Sequence, residues 1–310
     1  MSDPDEPHAS EHHRTRSMFV VLGVLGLLTV VTPQLTAATT SPPTTPTSTR
    51  AVVPARPSPG CAHPRGSQGP GTSDVPVVSR GARRSYVRTI PVGLDAAPAP
   101  LIVLLDDGSG DPRTFVGRAH WSDIAQSEHL VLAAPRWTSA DDDQLAVDAV
   151  IDIGRATCVD LARVYLAGFS TGATLGTRVV CEHPGFVTAF VAVAGLMPPD
   201  RCPPDVRVPV LAVQGALDET VSPARVVDAA KAWARQDRCQ PEPVSAVVAW
   251  TSSSYGFERC EGAVDVQLYM LSDMGHEWPE PVDDAGQARR WADVIDTTTA
   301  AMRFLENYSR

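Results

Sequence analysis

The run Arg163-Val164-Tyr165-Leu166-Ala167 passes directly into Gly168-Phe169-Ser170-Thr171-Gly172, and the helically spaced stretch Ala173 to Glu182 follows without a break. A strand, a sharp turn and a helix packed into so few residues constrain the chain to parallel βα units. The glycines flanking Ser170 have a steric purpose. The turn holds the serine in a strained backbone conformation, and side chains at Gly168 or Gly172 would collide with neighbouring backbone. The following helix start places amide donors, Thr171 N–H first among them, where a developing negative charge can be held.

The rest of the chain extends that unit. Strand-like runs recur at Tyr86 to Val92, Leu101 to Leu105, Leu130 to Ala133, Val187 to Val193, Val210 to Val213 and Val264 to Leu271. Helical spacing separates them at Trp121 to Glu128, Gln144 to Ala156, Pro223 to Arg235 and Gly286 to Glu306. Leu101-Ile102-Val103-Leu104-Leu105 is apolar throughout, as in a strand buried on both faces. The alternation predicts an α/β fold, a mostly parallel sheet with helices on both faces, in a single catalytic domain over residues 72–310. In such sheets active residues gather at the carboxyl ends of the strands.

Residues 1–71 differ in kind. Met18 to Val31 is nearly unbroken apolar sequence, preceded by Arg14 and Arg16 and followed by Thr36-Ala37-Ala38, the layout of a secretory signal over residues 1–38. As a helix its 14 residues reach roughly 21 Å, short of the ~30 Å hydrocarbon core, which favours a cleaved signal over an N-terminal anchor. Residues 39–71, rich in Thr, Ser and Pro, read as an extended linker. Six cysteines, all beyond the signal, agree with export and three disulfides. Short separations pair Cys181 with Cys202 and Cys239 with Cys260, leaving Cys61 to staple the N-terminal segment to Cys158. The net charge of -10 opposes binding to nucleic acid or anionic lipid. A secreted or extracellular protein follows, associated with the cell envelope only through an uncleaved anchor.

A serine hydroxyl needs a base within hydrogen-bond reach, itself oriented by a third group. Val210-Leu211-Ala212-Val213 leads through Gln214-Gly215-Ala216-Leu217 to Asp218, and the last predicted strand leads through Ser272-Asp273-Met274-Gly275 to His276. Both sit just past strand ends, in the order serine, acid, histidine. Asp273 is the competing acid, but a neighbour three residues from the histidine more often faces solvent. His120, His129 and His183 lie before the acid or at helix ends, where solvated or capping roles are ordinary. Phe169 and Trp278 are candidates to wall the substrate pocket.

Three segments, Gly168-Phe169-Ser170-Thr171-Gly172, Gly215-Ala216-Leu217-Asp218-Glu219-Thr220-Val221 and Met274-Gly275-His276-Glu277-Trp278-Pro279, resemble in order those of secreted polyhydroxybutyrate depolymerase-like and feruloyl esterase-like serine esterases of the α/β-hydrolase superfamily. The resemblance runs from about Cys61 to the C-terminus. It implies Ser170, Asp218 and His276 as nucleophile, acid and base of ester hydrolysis, on short hydroxyalkanoate oligomers or on acetyl or feruloyl esters of polysaccharides.

Two departures stand out. Where the family has His-Gly and a small-residue loop at the oxyanion hole, this chain has Asp106-Asp107-Gly108-Ser109-Gly110. A carboxylate ~4 Å from an oxyanion at an effective dielectric of ~20 opposes it by roughly 4 kcal/mol. Either Asp106 and Asp107 point away and leave Gly108 N–H as second donor, or catalysis is disabled. The second departure is the short stretch Arg136 to Asp143, where the family often has a longer Trp-containing loop. The alternatives to an esterase are a serine peptidase on the same fold and a catalytically impaired envelope protein that binds an ester or glycan. No motif calls for a metal or organic cofactor.

Overall fold

A computed structural model describes residues 53–62, 69–94, 97–249, 252–279 and 295–310. The expected signal, residues 1–38, lies outside the described residues, as does most of the expected linker. The described residues of that stretch are docked on the domain. Ser58 N–H bonds Val159 O at 2.9 Å and its hydroxyl bonds Thr157 O at 2.9 Å. Cys61 is bonded to Cys158, and a Cβ on Gly60 would overlap the Thr157 backbone. The Cys181–Cys202 and Cys239–Cys260 disulfides expected from their spacing are also formed.

Ten strands make one sheet. They are β1 Gly71–Ser79, β2 Ala82–Ile90, β3 Ala99–Leu105, β4 Val131–Pro135, β5 Val159–Phe169, β6 Ala189–Val193, β7 Val210–Gly215, β8 Val244–Ala249, β9 Ser252–Phe257 and β10 Val266–Leu271. Their order is β1-β2-β4-β3-β5-β6-β7-β10-β9-β8. The six from β4 to β10 in that order are parallel, and antiparallel hairpins close both edges. At one edge Arg80 and Gly81, at φ 48° and 78°, make the tight turn between β1 and β2.

Side chains of the central strands alternate between two cores. Leu101, Val103 and Leu105 face α3 (Asp143–Ala156), α4 (Thr171–Glu182) and α5 (Pro223–Gln236). Ile102 and Leu104 face α1 (Pro112–Arg118), α2 (Trp121–Ser127) and α6 (Thr297–Leu305). That period of two, both phases apolar, is why β3 reads as an unbroken hydrophobic run.

The expected strands and helices fall within a few residues of these, except that of Gly286 to Glu306 only the part from 295 onward lies among the described residues. There, Asp296 caps α6 by accepting from Thr299 N–H at 3.1 Å. Strands β1, β8 and β9 and helix α1 lie outside the expected set. In β9 the run Ser252-Ser253-Ser254 supplies ladder donors and acceptors without hydrophobic signal.

Asp237, at the end of α5, is fully buried, and neither carboxylate oxygen has a well-formed hydrogen bond. Burial pushes this carboxyl up to about 8, against the opposite pull of the Arg207 charge and the Val208 N–H. The folded protein therefore holds a proton that the unfolded chain releases near pH 4. The group's cost to stability is absent below that pH and grows as pH rises towards 8. Asp237→Asn is expected to raise the unfolding temperature more at pH 7.5 than at pH 4.5. Equal shifts at the two pH values, measured by thermal denaturation, would contradict this.

Candidate active site

Strand β5 delivers Ser170 into the turn before α4 at φ 54° and ψ −121°, outside the regions ordinary L-residues favour. Three glycines make that turn possible. A Cβ on Gly168 would come within 2.6 Å of Gly172 O, one on Gly172 would overlap the Leu105 and Asp106 carbonyls, and one on Gly195 would overlap Ser170 O. Helix and strands thus close on the serine with no room for a methyl group. Ser170 N–H is held by Val193 O at 2.9 Å, which ties the elbow to β6.

The strand ends bring together the three expected residues. Ser170 Oγ lies 2.8 Å from His276 Nε2, and His276 Nδ1 lies 2.9 Å from Asp218 Oδ2. Asp273 is exposed and takes no part. Asp218 is buried and saturated: Oδ1 accepts from Thr220 and Val221 N–H at 2.9 and 2.8 Å, and Oδ2 accepts from Gln214 Nε2 at 2.9 Å. Burial alone would push this carboxyl up. The Val221 N–H, His276, Gln214 and Thr220 N–H donors outweigh it and hold the group below its ordinary value, fixed as a carboxylate. Gly215 lets the acid-bearing loop approach the histidine loop, since a Cβ there would overlap the Met274 and Gly275 carbonyls. Two other histidines are occupied at helix ends, His120 with Asp123 at 3.0 Å and His183 with Asp143 at 2.8 Å.

Beside the relay lies a cleft of about 360 Å³. Phe115, Phe169 and Trp278 form its aromatic wall, with Trp278 edge-on to Phe115 at 5.2 Å between centroids and Phe169 5.3 Å from the His276 ring. Trp278 is fixed from below, where its Nε1 donates to Thr298 Oγ1 at 3.0 Å. Asp106, Asp107, Asp111, Glu277 and Arg118 also line the cleft.

The loop after β3 departs from expectation. Its carboxylates turn onto their own backbone: Asp106 Oδ1 accepts from Gly108 N–H at 3.1 Å, and Asp107 Oδ1 accepts from Ser109 N–H and Oγ at 3.0 and 2.8 Å. Gly108 N–H, the expected second oxyanion donor, is therefore spent on Asp106. Thr171 N–H, in the first turn of α4, has no intrahelical partner and faces no such competition. Burial pushes the Asp106 carboxyl up, chiefly against the Gly108 N–H bond.

Residues absent from the expected set are Gln214, Phe115, Thr298 and the Thr171 hydroxyl. Gln214 had a signal, a lone amide in an otherwise apolar strand four residues before the acid; Thr298 had none. Among the described residues no group of His, Cys, Asp or Glu side chains is placed to hold a metal ion, and no helix is long and apolar enough to cross a membrane.

A parallel sheet with helices on both faces and a serine elbow, acid and histidine past the ends of β5, β7 and β10 make up the α/β-hydrolase fold, and the chain has this fold. No protein-family model matches it. Over 162 residues, 46% of this chain and 30% of that protein, it is 27% identical to feruloyl esterase B of Piromyces equi. Over 212 residues, 64% of this chain and 31% of that protein, it is 24% identical to the bifunctional acetylxylan esterase/xylanase of Neocallimastix patriciarum. The chain thus spans under a third of the length of either relative. The acetyl xylan esterase from Aspergillus awamori shares the fold at TM-score 0.57 and 12% identity, over 76% of this chain and 99% of that one. Among proteins of this fold, the chain is thus similar to feruloyl and acetylxylan esterases.

Gly172→Ala is expected to destabilise the protein by more than about 2 kcal/mol, because the added methyl meets carbonyl oxygens of β3 rather than a mobile side chain. Denaturant unfolding that matched the parent would show that the elbow relaxes freely.

Proposed function

We propose that this chain is a secreted serine esterase that hydrolyses carboxylic esters through an acyl-enzyme on Ser170. What carries this is the unbroken relay from Ser170 through His276 to Asp218, with its buried acid and its cleft. His276 Nε2 takes the hydroxyl proton as Ser170 Oγ attacks the acyl carbon, while Asp218 fixes the ring with Nδ1–H as donor and stabilises the imidazolium. Thr171 N–H receives the negative charge on the acyl oxygen. His276 then gives its proton to the leaving alkoxide. Water repeats the sequence to release the acid and free Ser170. Three disulfides support an oxidising, extracellular setting.

For Ser170→Ala, turnover of p-nitrophenyl acetate and butyrate should fall by at least about a thousandfold, and for Asp218→Asn by a factor on the order of 10⁴ in kcat. A fluorophosphonate probe should label the wild type and not the serine variant. Unchanged turnover in Ser170→Ala, or a wild type that neither labels nor turns over, would leave the impaired binding protein as the reading.

The cleft's charge ranks the substrate classes. Four carboxyl side chains, Asp106, Asp107, Asp111 and Glu277, line it beside the guanidinium of Arg118, and Asp111 is drawn off by an ion pair to Arg136 at 2.9 Å. Hydroxyalkanoate oligomers carry a terminal carboxylate, whereas acetyl and feruloyl esters are neutral, so we favour the neutral esters of the Piromyces and Neocallimastix relatives. At low salt, kcat/KM for a neutral aryl ester should exceed that for its hemisuccinate counterpart by roughly tenfold, and the gap should narrow in 0.5 M NaCl as screening shortens the field. A ratio indifferent to salt would remove the charge argument.

A further inference from the structure

The Asp107–Gly108 peptide is held at both ends. Thr171 Oγ1, one residue past the nucleophile, donates to Asp107 O at 2.6 Å, and Gly108 N–H donates to Asp106 Oδ1 at 3.1 Å. In a trans peptide the carbonyl and the N–H point in opposite directions. With the carbonyl drawn to the elbow, the N–H must face away from it. The orientation seen is therefore the one in which Gly108 cannot donate to an oxyanion.

Gly108 sits at φ 73°, in the left-handed region that type II geometry requires of a turn's third residue. Rotating the middle peptide converts such a turn to type I, with that residue at φ near −90°. Glycine accepts both. In the position seen only glycine fits, since a Cβ would stand 2.8 Å from the Trp137 ring. The Thr171 tie lies at the exposed rim, where a conformational change meets little packing.

We propose that the Asp107–Gly108 peptide is a two-position latch, held at rest by the Thr171 hydroxyl and the Asp106 carboxylate, which turns to present Gly108 N–H to the acyl oxygen as Ser170 is acylated. Turning breaks two hydrogen bonds and gains one to a developing oxyanion. Without substrate the resting position wins, and with it the charge-assisted bond wins. The Thr171 hydroxyl and Asp106 are thereby positioning residues, distinct from the Thr171 N–H that meets the oxyanion. This rests on the serine esterase assignment above.

The test is the second-order rate of Ser170 labelling by a fluorophosphonate probe, beside kcat/KM for p-nitrophenyl butyrate and the unfolding temperature. Thr171→Val keeps the amide and the side-chain shape but loses the hydroxyl, and Gly108→Ala penalises the left-handed resting conformation. Each should label roughly three- to tenfold faster than wild type, with an unfolding temperature equal to or below it. Thr171→Ser, which keeps the hydroxyl donor, should label several-fold more slowly than Thr171→Val. A purely structural role for these residues would lower rate and stability together. Folded Thr171→Val or Gly108→Ala protein that labels at the wild-type rate or slower overturns the latch, and if one variant fails to fold the other decides. A wild type that shows no Ser170-dependent labelling removes the esterase assignment and the latch with it, whereas a labelled wild type with unaccelerated variants removes the latch alone.

Discussion

Everything at the candidate site depends on backbone packed against backbone at the serine elbow. Ser170 holds a conformation costing on the order of 1–3 kcal/mol, which persists only where the surroundings leave no alternative. Here the alternatives are removed by β3 carbonyls against Gly172, by Ser170 O against Gly195 and by the pin of Ser170 N–H to Val193 O. The twin cores of the sheet supply the rigidity: β3, β5 and β6 are apolar on both faces, and burial of each large side chain contributes about 1.5–3 kcal/mol. The strain at one residue is small beside that sum.

Polar saturation does for the acid what steric closure does for the serine. Asp218 is buried, yet every direction from its oxygens leads to a donor: two loop amides, the Gln214 side chain and the His276 ring. A carboxylate so enclosed keeps its charge and its orientation together, and its orientation fixes the imidazole. Gln214 belongs to the relay in this sense although it touches neither serine nor histidine. Asp237 is the contrasting case, buried with no comparable set of donors and raised to about 8.

The strand ends bearing Ser170, Asp218 and His276 were legible from residue types because each follows an apolar run and each demands a particular chemistry. The local cysteine pairs were legible from spacing. The oxyanion loop was not. Asp106-Asp107-Gly108 predicted a donor at Gly108, but which way a peptide faces depends on partners distant in sequence, here the Thr171 hydroxyl 64 residues on. At Ser58 to Cys61, Ser, Pro and Gly read as linker, and only the cysteine signalled attachment. The same small residues fit a close approach to Thr157 that larger ones would block. Strand β9 was invisible because its ladder uses backbone groups under serines.

The three disulfides share one side of the sheet. Cys181 and Cys202 tie the end of α4 to the segment after β6, Cys239 and Cys260 close the far end of α5, and Cys61 and Cys158 bind the N-terminal segment beside α3. The opposite side, with α1, α2 and α6 and the aromatic wall of the cleft, is held among the described residues by packing and hydrogen bonds and not by disulfides. The molecule is thus built like a hinged book with one cover sewn down. Covalent bonds fix the half that carries Ser170, and the half that forms the aromatic wall rests on noncovalent contacts. A reductant would loosen the first half and leave the walls of the cleft untouched.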